Sequence, residues 1–337
     1  MKAIVKQHPE KGLALVNKEI PKISPTEVLI KVKKSAICGT DVHIYQWGEW
    51  AKKNITCPTT IGHEFSGEIV ERGSAVTSVN IGERVSAEGH IFCEKCELCL
   101  NDYAHLCLKT IGIGIHRDGG FAEYVSVPAK NVVTLPDFID NNCGAILDPF
   151  GNATHAAMEV PLKNKDVLIT GAGPIGIYSA IIAEHCHASS ICITDQSDYR
   201  LDILKQSTID CINIKKKTIA DHLQKKRINS FDICLEMSGN PLALEQCIDN
   251  LKPGGNLILL GIFSSNISTN WNKIIFKGIK IHAISGRKIF KTWEQMFELI
   301  KSNIPIKNVT THSLPYTDFD KGFNLLLNGQ AGKIILD

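Results

Sequence analysis

The chain has 337 residues, 44% of them hydrophobic, enough to fill two compact cores, so two domains are expected. Its formal net charge of +2, from 37 basic and 35 acidic residues, leaves no electrostatic footprint for nucleic acid or an anionic membrane. The start lacks the apolar core of a signal peptide and no run reaches the ~18 apolar residues of a membrane span, so a soluble, cytoplasmic protein is expected.

In chain order, the first 145 or so residues carry short β-type runs broken by Gly and Pro. Examples are VLIKV at 28–32, SGEIV at 66–70 and AEYVSV at 122–127. Near Asn164 the texture changes to apolar strands alternating with helices. The strands are VLIT (167–170), ICIT (191–194), FDICL (231–235), NLILL (256–260) and IKIHAI (279–284), with helices over 174–187, 199–206 and 242–250. That alternation predicts a parallel sheet covered on both faces. An amphipathic helix over 292–302 then leads into a tail ending in a strand at 333–336, read as returning to the first domain.

Three groups of residues carry chemistry. Cys38, in CGTDVH (38–43), His63 and Glu64, in GHE (62–64), and Asp148, at the entry to the second domain, supply one thiolate, one imidazole and one or two carboxylates. Such a set suits a mixed-ligand zinc site with an open position, although singly these residues are usually buried filler or loop residues. Cys93, Cys96, Cys99 and Cys107 place four thiols within one short lobe, which satisfies tetrahedral zinc and leaves no position open. A disulfide pair is disfavoured in a cytosolic chain, and an iron–sulfur cluster has no evident redox role here.

The third group is VLITGAGPIG at 167–176, a strand running into Gly171, Gly173 and Gly176 and then a helix. Gly171 is read as permitting the tight turn, Gly173 as admitting a pyrophosphate, and Gly176 as letting helix and strand pack closely. Asp195 closes the next strand, where a carboxylate accepts from ribose hydroxyls and repels a 2′-phosphate, favouring NAD. Arg200 nearby is the counter-indication, being the type of residue that accommodates that phosphate.

These motifs occur in the order found in the medium-chain zinc alcohol dehydrogenases, and the sequence resembles that family over essentially its whole length. AICGTDVHIY (36–45), IGHEFSGEIV (61–70), DPFGNATHA (148–156), LEMSG (235–239) and IIFKGIKI (274–281) are most similar to its threonine-oxidising branch. The resemblance implies an α/β plus mostly-β fold: a GroES-like catalytic domain (1–147 and 287–337) with the zinc lobe at 93–107, and an inserted doubly wound Rossmann domain (148–286). It implies two zinc ions per subunit, the catalytic one held by Cys38, His63 and Glu64, with Asp148 close by. It also implies a proton relay through Thr40 and His43, and NAD held by Ile175, Asp195, Arg200, Leu260, Gly261, Ile262, Ile284 and Ser285.

The expected reaction is oxidation of L-threonine at its 3-hydroxyl to 2-amino-3-oxobutanoate. The family is commonly tetrameric, and an unstable product suits immediate use by a CoA ligase. His90 is a candidate contact for the substrate ammonium or carboxylate. Zinc lowers the pKa of bound water from about 15.7 to about 7, on the order of 12 kcal/mol, whereas a general base adds about 3–5 kcal/mol. The metal therefore carries most of the activation. A polyol or diol substrate keeps this mechanism, but DPFGNATHA argues against it. A non-catalytic nucleotide-binding protein of the crystallin type should lack Cys38, His63 and Glu64, and a DNA-binding zinc lobe would need a basic recognition helix.

Overall fold

The computed structural model describes residues 1–263 and 266–337, and the chain divides into two compact units. The first comprises Met1–Asp148 and Thr310–Asp337, the second Pro149–Val309.

In the first unit the long strand Glu27–Ala36 is the hub of a seven-stranded sheet among the described residues. It pairs antiparallel with Phe65–Arg72, with Tyr124–Pro128 and with the C-terminal strand Lys333–Leu336. Val28 and Ile30 enter a core with Phe65, Ile69, Val85, Val125 and Val127, while Lys31 and Lys33 stay exposed, the two-residue alternation of a half-buried strand. The C-terminal strand is different: all of Lys333–Leu336 is buried, and Ile334 joins a second core with Ile37, Ile44 and Phe323. The chain end thus packs directly behind the segment that carries Cys38.

Among the described residues the second unit holds a six-stranded parallel sheet in the order Asp210–Asn213, Ser190–Asp195, Asp166–Thr170, Phe231–Glu236, Leu251–Leu259, Lys280–Ala283. The order reverses beside Asp166–Thr170, and the crevice outside the carboxyl ends of strands at such a reversal is where doubly wound sheets bind ligands. The helix Pro174–His185 starts there, and its close seating on the preceding turn leaves no room for a side chain at Gly176, where a Cβ would lie 1.9 Å from the Gly171 carbonyl oxygen.

Two expectations require correction. The tail assigned to the catalytic domain from 287 onward joins it only from Thr310; residues 287–309 belong to the second unit. The cause is the helix Lys291–Lys301, which buries Trp293, Met296 and Leu299 inside that unit, with Met296 and Arg287 closing over Gly151. The helix expected over 199–206 is only Asp198–Asp202 and gives way to turns, while Asp210–Asn213 and the helix Ile219–Lys226 were not anticipated. The strand offers only Cys211 and Ile212 as apolar residues, and in the helix Lys225 and Lys226 dilute the apolar pattern that marks the other elements.

Candidate functional site

Cys38 ends the hub strand's extension and is the N-cap of the helix Gly39–Gln46. Its backbone N–H donates to Asp41 Oδ2 at 2.9 Å, so the fourth residue of CGTD fixes the helix start. The Gly62-His63-Glu64 turn lies beside it. Gly62 has φ +90° and a Cβ there would lie 2.1 Å from the Phe121 ring, so only glycine brings His63 and Glu64 into place.

The ligand atoms of Cys38, His63 and Glu64 all lie within 4.8 Å of one another. His63 Nδ1 has no hydrogen-bond partner and faces the buried Asp41 Oδ1 at 3.9 Å, which leaves Nε2 for the bond to Cys38. A carboxylate behind the outer nitrogen of a histidine is the usual support of a metal-binding imidazole. Asp148, in the first turn of Leu147–Ala157, is 8% exposed and interacts electrostatically with Glu64 and His63.

The donor set fits a cation. Burial alone would lower the His63 pKa, yet Cys38, Asp41 and Asp148 hold it well above its ordinary value, so a proton is drawn to where a metal ion would sit. Burial also disfavours charge on Lys333, but Glu64, Cys38 and Asp148 raise its pKa. Its ammonium donates to Glu64 Oε1 at 2.8 Å and Oε2 at 2.7 Å.

Thr40 and His43 sit three residues apart on the helix Gly39–Gln46, on one face, with Thr40 half-buried and His43 exposed. His90 lies 3.0 Å, through Nδ1, from Oε1 of the fully buried Glu88. A Cβ on the intervening Gly89 would be 3.8 Å from both His63 Cβ and Asp148 Oδ1, so this segment adjoins the ligand group. Asp41, Glu88 and Lys333 were not singled out from sequence. Only Asp41 left a signal, as the carboxylate three residues past an N-cap.

In the lobe, Sγ separations are 3.9 Å for Cys93–Cys99, 3.5 Å for Cys96–Cys99 and 3.9 Å for Cys96–Cys107. Four sulfurs at about 2.3 Å from one tetrahedral zinc would be about 3.8 Å apart, and a disulfide would need about 2.0 Å. All four cysteines are free thiols. The Lys95 and Cys96 backbone N–H groups bring Cys93 down to about 6, while burial and its neighbouring thiols push Cys99 up to about 12. A divalent cation is what lets all four be thiolates together.

In the second unit, Gly171 has φ +94° and nothing lies within 4 Å of a Cβ built on Gly173, leaving the N-terminus of the helix Pro174–His185 open to a phosphate. Ile175 is in that first turn. Asp195 ends its strand and holds this loop, accepting from Ala172 N at 2.7 Å and Ser197 N at 2.8 Å. Arg200 Nε is buried without a partner, an orphaned donor that suits an anionic ligand. Leu260, Gly261 and Ile262 follow the strand Leu251–Leu259, and Ile284 and Ser285 follow Lys280–Ala283, so both groups lie at carboxyl ends of the sheet. Ile262 is 91% exposed, the exposure expected of an apolar residue that packs on a cofactor.

Replacing Cys99 with serine is expected to lower the zinc content from two ions per subunit to one and to reduce the thermal midpoint, by metal analysis and calorimetry. Retention of both ions would contradict the lobe as a zinc site.

Residues 24–137 match the alcohol dehydrogenase GroES-like domain, and residues 174–302 the zinc-binding dehydrogenase domain. The chain is 45% identical over 339 residues to an L-threonine 3-dehydrogenase of Rhizobium etli, covering 100% of this chain and 98% of that one. It is 46% identical over 337 residues to an L-threonine 3-dehydrogenase of Xanthomonas euvesicatoria, covering 100% and 99%. Among solved structures, a short chain alcohol dehydrogenase from E. coli CFT073 complexed with NADH superposes with a TM-score of 0.90 at 28% identity, covering 100% and 98%. The 2R,3R-butanediol dehydrogenase from Bacillus subtilis gives 0.89 at 26% identity, covering 99% of each chain. With its GroES-like and Rossmann parts and its two metal-binding groups, the chain belongs to the zinc-dependent medium-chain dehydrogenases, in the L-threonine 3-dehydrogenase family.

Proposed function

We propose that this chain oxidises L-threonine at the 3-hydroxyl, with NAD as acceptor, to 2-amino-3-oxobutanoate. The observation that carries the reading is the joint presence of the Cys38, His63 and Glu64 donor group and full-length similarity to threonine dehydrogenases. Bound there, zinc would acidify a coordinated hydroxyl, and NAD would accept the hydride.

The remaining work falls to the chain's own residues. Cys38, His63 and Glu64 hold the metal, with Asp41 behind His63 and Asp148 within electrostatic reach. Thr40 takes the proton from the substrate hydroxyl and His43, three residues on and exposed, delivers it to solvent. Asp148 favours that transfer by its negative charge. Glu88 holds His90 by Nδ1 and leaves Nε2 for the carboxylate or ammonium of the amino acid.

On the cofactor side, the Gly171–Gly176 turn receives the pyrophosphate, Asp195 the adenosine ribose, and Arg200 borders them. Ile175, Leu260 to Ile262, Ile284 and Ser285 line the remainder. NADH formation should be selective for L-threonine over D-threonine, sorbitol and 2,3-butanediol in zinc-replete protein. Cys38→Ser should cut turnover by at least about a thousandfold with NAD affinity unchanged. Turnover of a diol or polyol alone would discard the threonine assignment.

The proposed assembly is a homotetramer. Trp271, Ile275 and Phe276 are 61%, 68% and 86% exposed on the helix Trp271–Lys277, beside the edge strand Lys280–Ala283. Large apolar residues clustered at an open sheet edge are the usual mark of a covered surface. Phe276→Asp should lower the mass seen by light scattering; an unchanged mass would remove this edge from the interface. The β-keto acid product decarboxylates readily, which favours functional coupling to a 2-amino-3-oxobutanoate CoA ligase. No helix among the described residues is long and apolar enough to cross a membrane.

A further inference from the structure

The segment that follows the edge strand Lys280–Ala283 is held by a helix rather than by the sheet. The Ile284 N–H donates to the Leu259 carbonyl at 2.8 Å, so the segment starts fixed to its neighbouring strand. The chain then bends at Gly286, whose φ of +55° lies in the left-handed region that favours glycine. The Gly286 carbonyl accepts a hydrogen bond from Nδ1 of His155 at 3.0 Å. His155 is 6% exposed and lies in the helix Leu147–Ala157. Burial lowers its pKa, so in neutral solution the ring carries a single proton, and the carbonyl oxygen opposite fixes that proton on Nδ1.

One turn earlier on the same face, Gly151 lets the helix come close: a Cβ there would lie 2.7 Å from Cδ of the fully buried Arg287. Four residues past His155, Glu159 Oε2 lies 3.0 Å from Lys288 Nζ, and its Oε1 lies 3.9 Å from His282 Nδ1. These charged contacts are partly exposed and count for little, so the buried imidazole bond is what fixes Gly286. Gly151 and His155 both belong to DPFGNATHA (148–156), a stretch whose Asp148 alone has so far been given a role.

We propose that His155 is a positioning residue for the nicotinamide half of the cofactor, holding Ile284–Gly286 in place beside the ring. The inference rests on the NAD reading above and deepens it. Asp195 assigns the adenosine ribose to the strand Ser190–Asp195, on one side of the sheet's reversal beside Asp166–Thr170. The second mononucleotide then falls to the strands on the other side, Phe231–Glu236 to Lys280–Ala283, and Ile284 and Ser285 continue the last of these at its carboxyl end. A segment beyond the end of its strand has no ladder, so side chains must satisfy and place its backbone groups. His155 does this at Gly286. Without it the carbonyl turns to water, the segment loosens, and only the nicotinamide end of the cofactor loses its wall.

The test uses full-length, zinc-loaded protein and calorimetric titration with two ligands, NADH and ADP-ribose, which differ by the nicotinamide. For His155→Leu the expected result is a Kd for NADH raised about tenfold, with the Kd for ADP-ribose unchanged. His155→Asn places an amide N–H where Nδ1 stands and should restore the wild-type ratio of the two constants. A role confined to the stability of the helix would weaken both ligands alike. His155→Ser removes the same bond without adding apolar bulk, and it carries the test if the leucine variant does not fold. Equal weakening of both ligands, unchanged NADH affinity, or failure of asparagine to restore the ratio overturns the proposal. A wild-type protein that binds neither ligand would overturn the NAD reading itself, a failure distinct from these.

Discussion

Negative charge gathered in a buried place is the constraint on which the first unit is organised. Asp41 and Glu64 are almost wholly buried, Asp148 is 8% exposed, and Cys38 lies among them. Isolated ions in such surroundings cost several kcal/mol each, so the fold supplies positive partners or takes them from solution. Lys333 supplies one from the chain's far end, which accounts for a strand of four buried residues crossing back to pair with the hub strand beside Cys38. The elevated pKa of His63 marks the remaining demand, which a divalent cation meets with a coordination position to spare.

The two metal-binding groups separate by the same physics. In the lobe the four sulfurs stand at tetrahedral spacing and exhaust the coordination sphere, so the ion there stabilises a loop that has little apolar core of its own. The mixed group offers fewer and harder donors and is set on rigid elements: a strand end, a glycine-enforced turn and a helix start. That rigidity is what holds reacting groups in place. In the second unit, the parallel sheet reverses order beside the glycine turn, and the residues expected to touch NAD all fall at carboxyl ends of its strands.

Much of this was legible in the sequence because the informative signals are local. Four cysteines in one short stretch, glycines between a strand and a helix, and continuous apolar runs such as VLIT and ICIT depend only on near neighbours in the chain. Boundaries set by tertiary packing were less legible. Nothing in residues 287–309 announces that Met296 closes over Gly151, so the return to the first unit was placed too early. Asp210–Asn213 was missed because only Cys211 and Ile212 in it are apolar, and Lys333 because its partner is 269 positions away. Asp41 lies inside the CGTDVH motif, but its place behind His63 depends on how the GHE turn docks.

Zinc K-edge X-ray absorption, recorded on protein whose lobe has been disabled so that only the mixed site is loaded, tests the central claim most directly. One sulfur at about 2.3 Å with nitrogen or oxygen neighbours at about 2.0–2.1 Å is the expected shell, and Cys38→Ser should remove the sulfur. Zinc-free protein, or a shell without sulfur, would contradict the account.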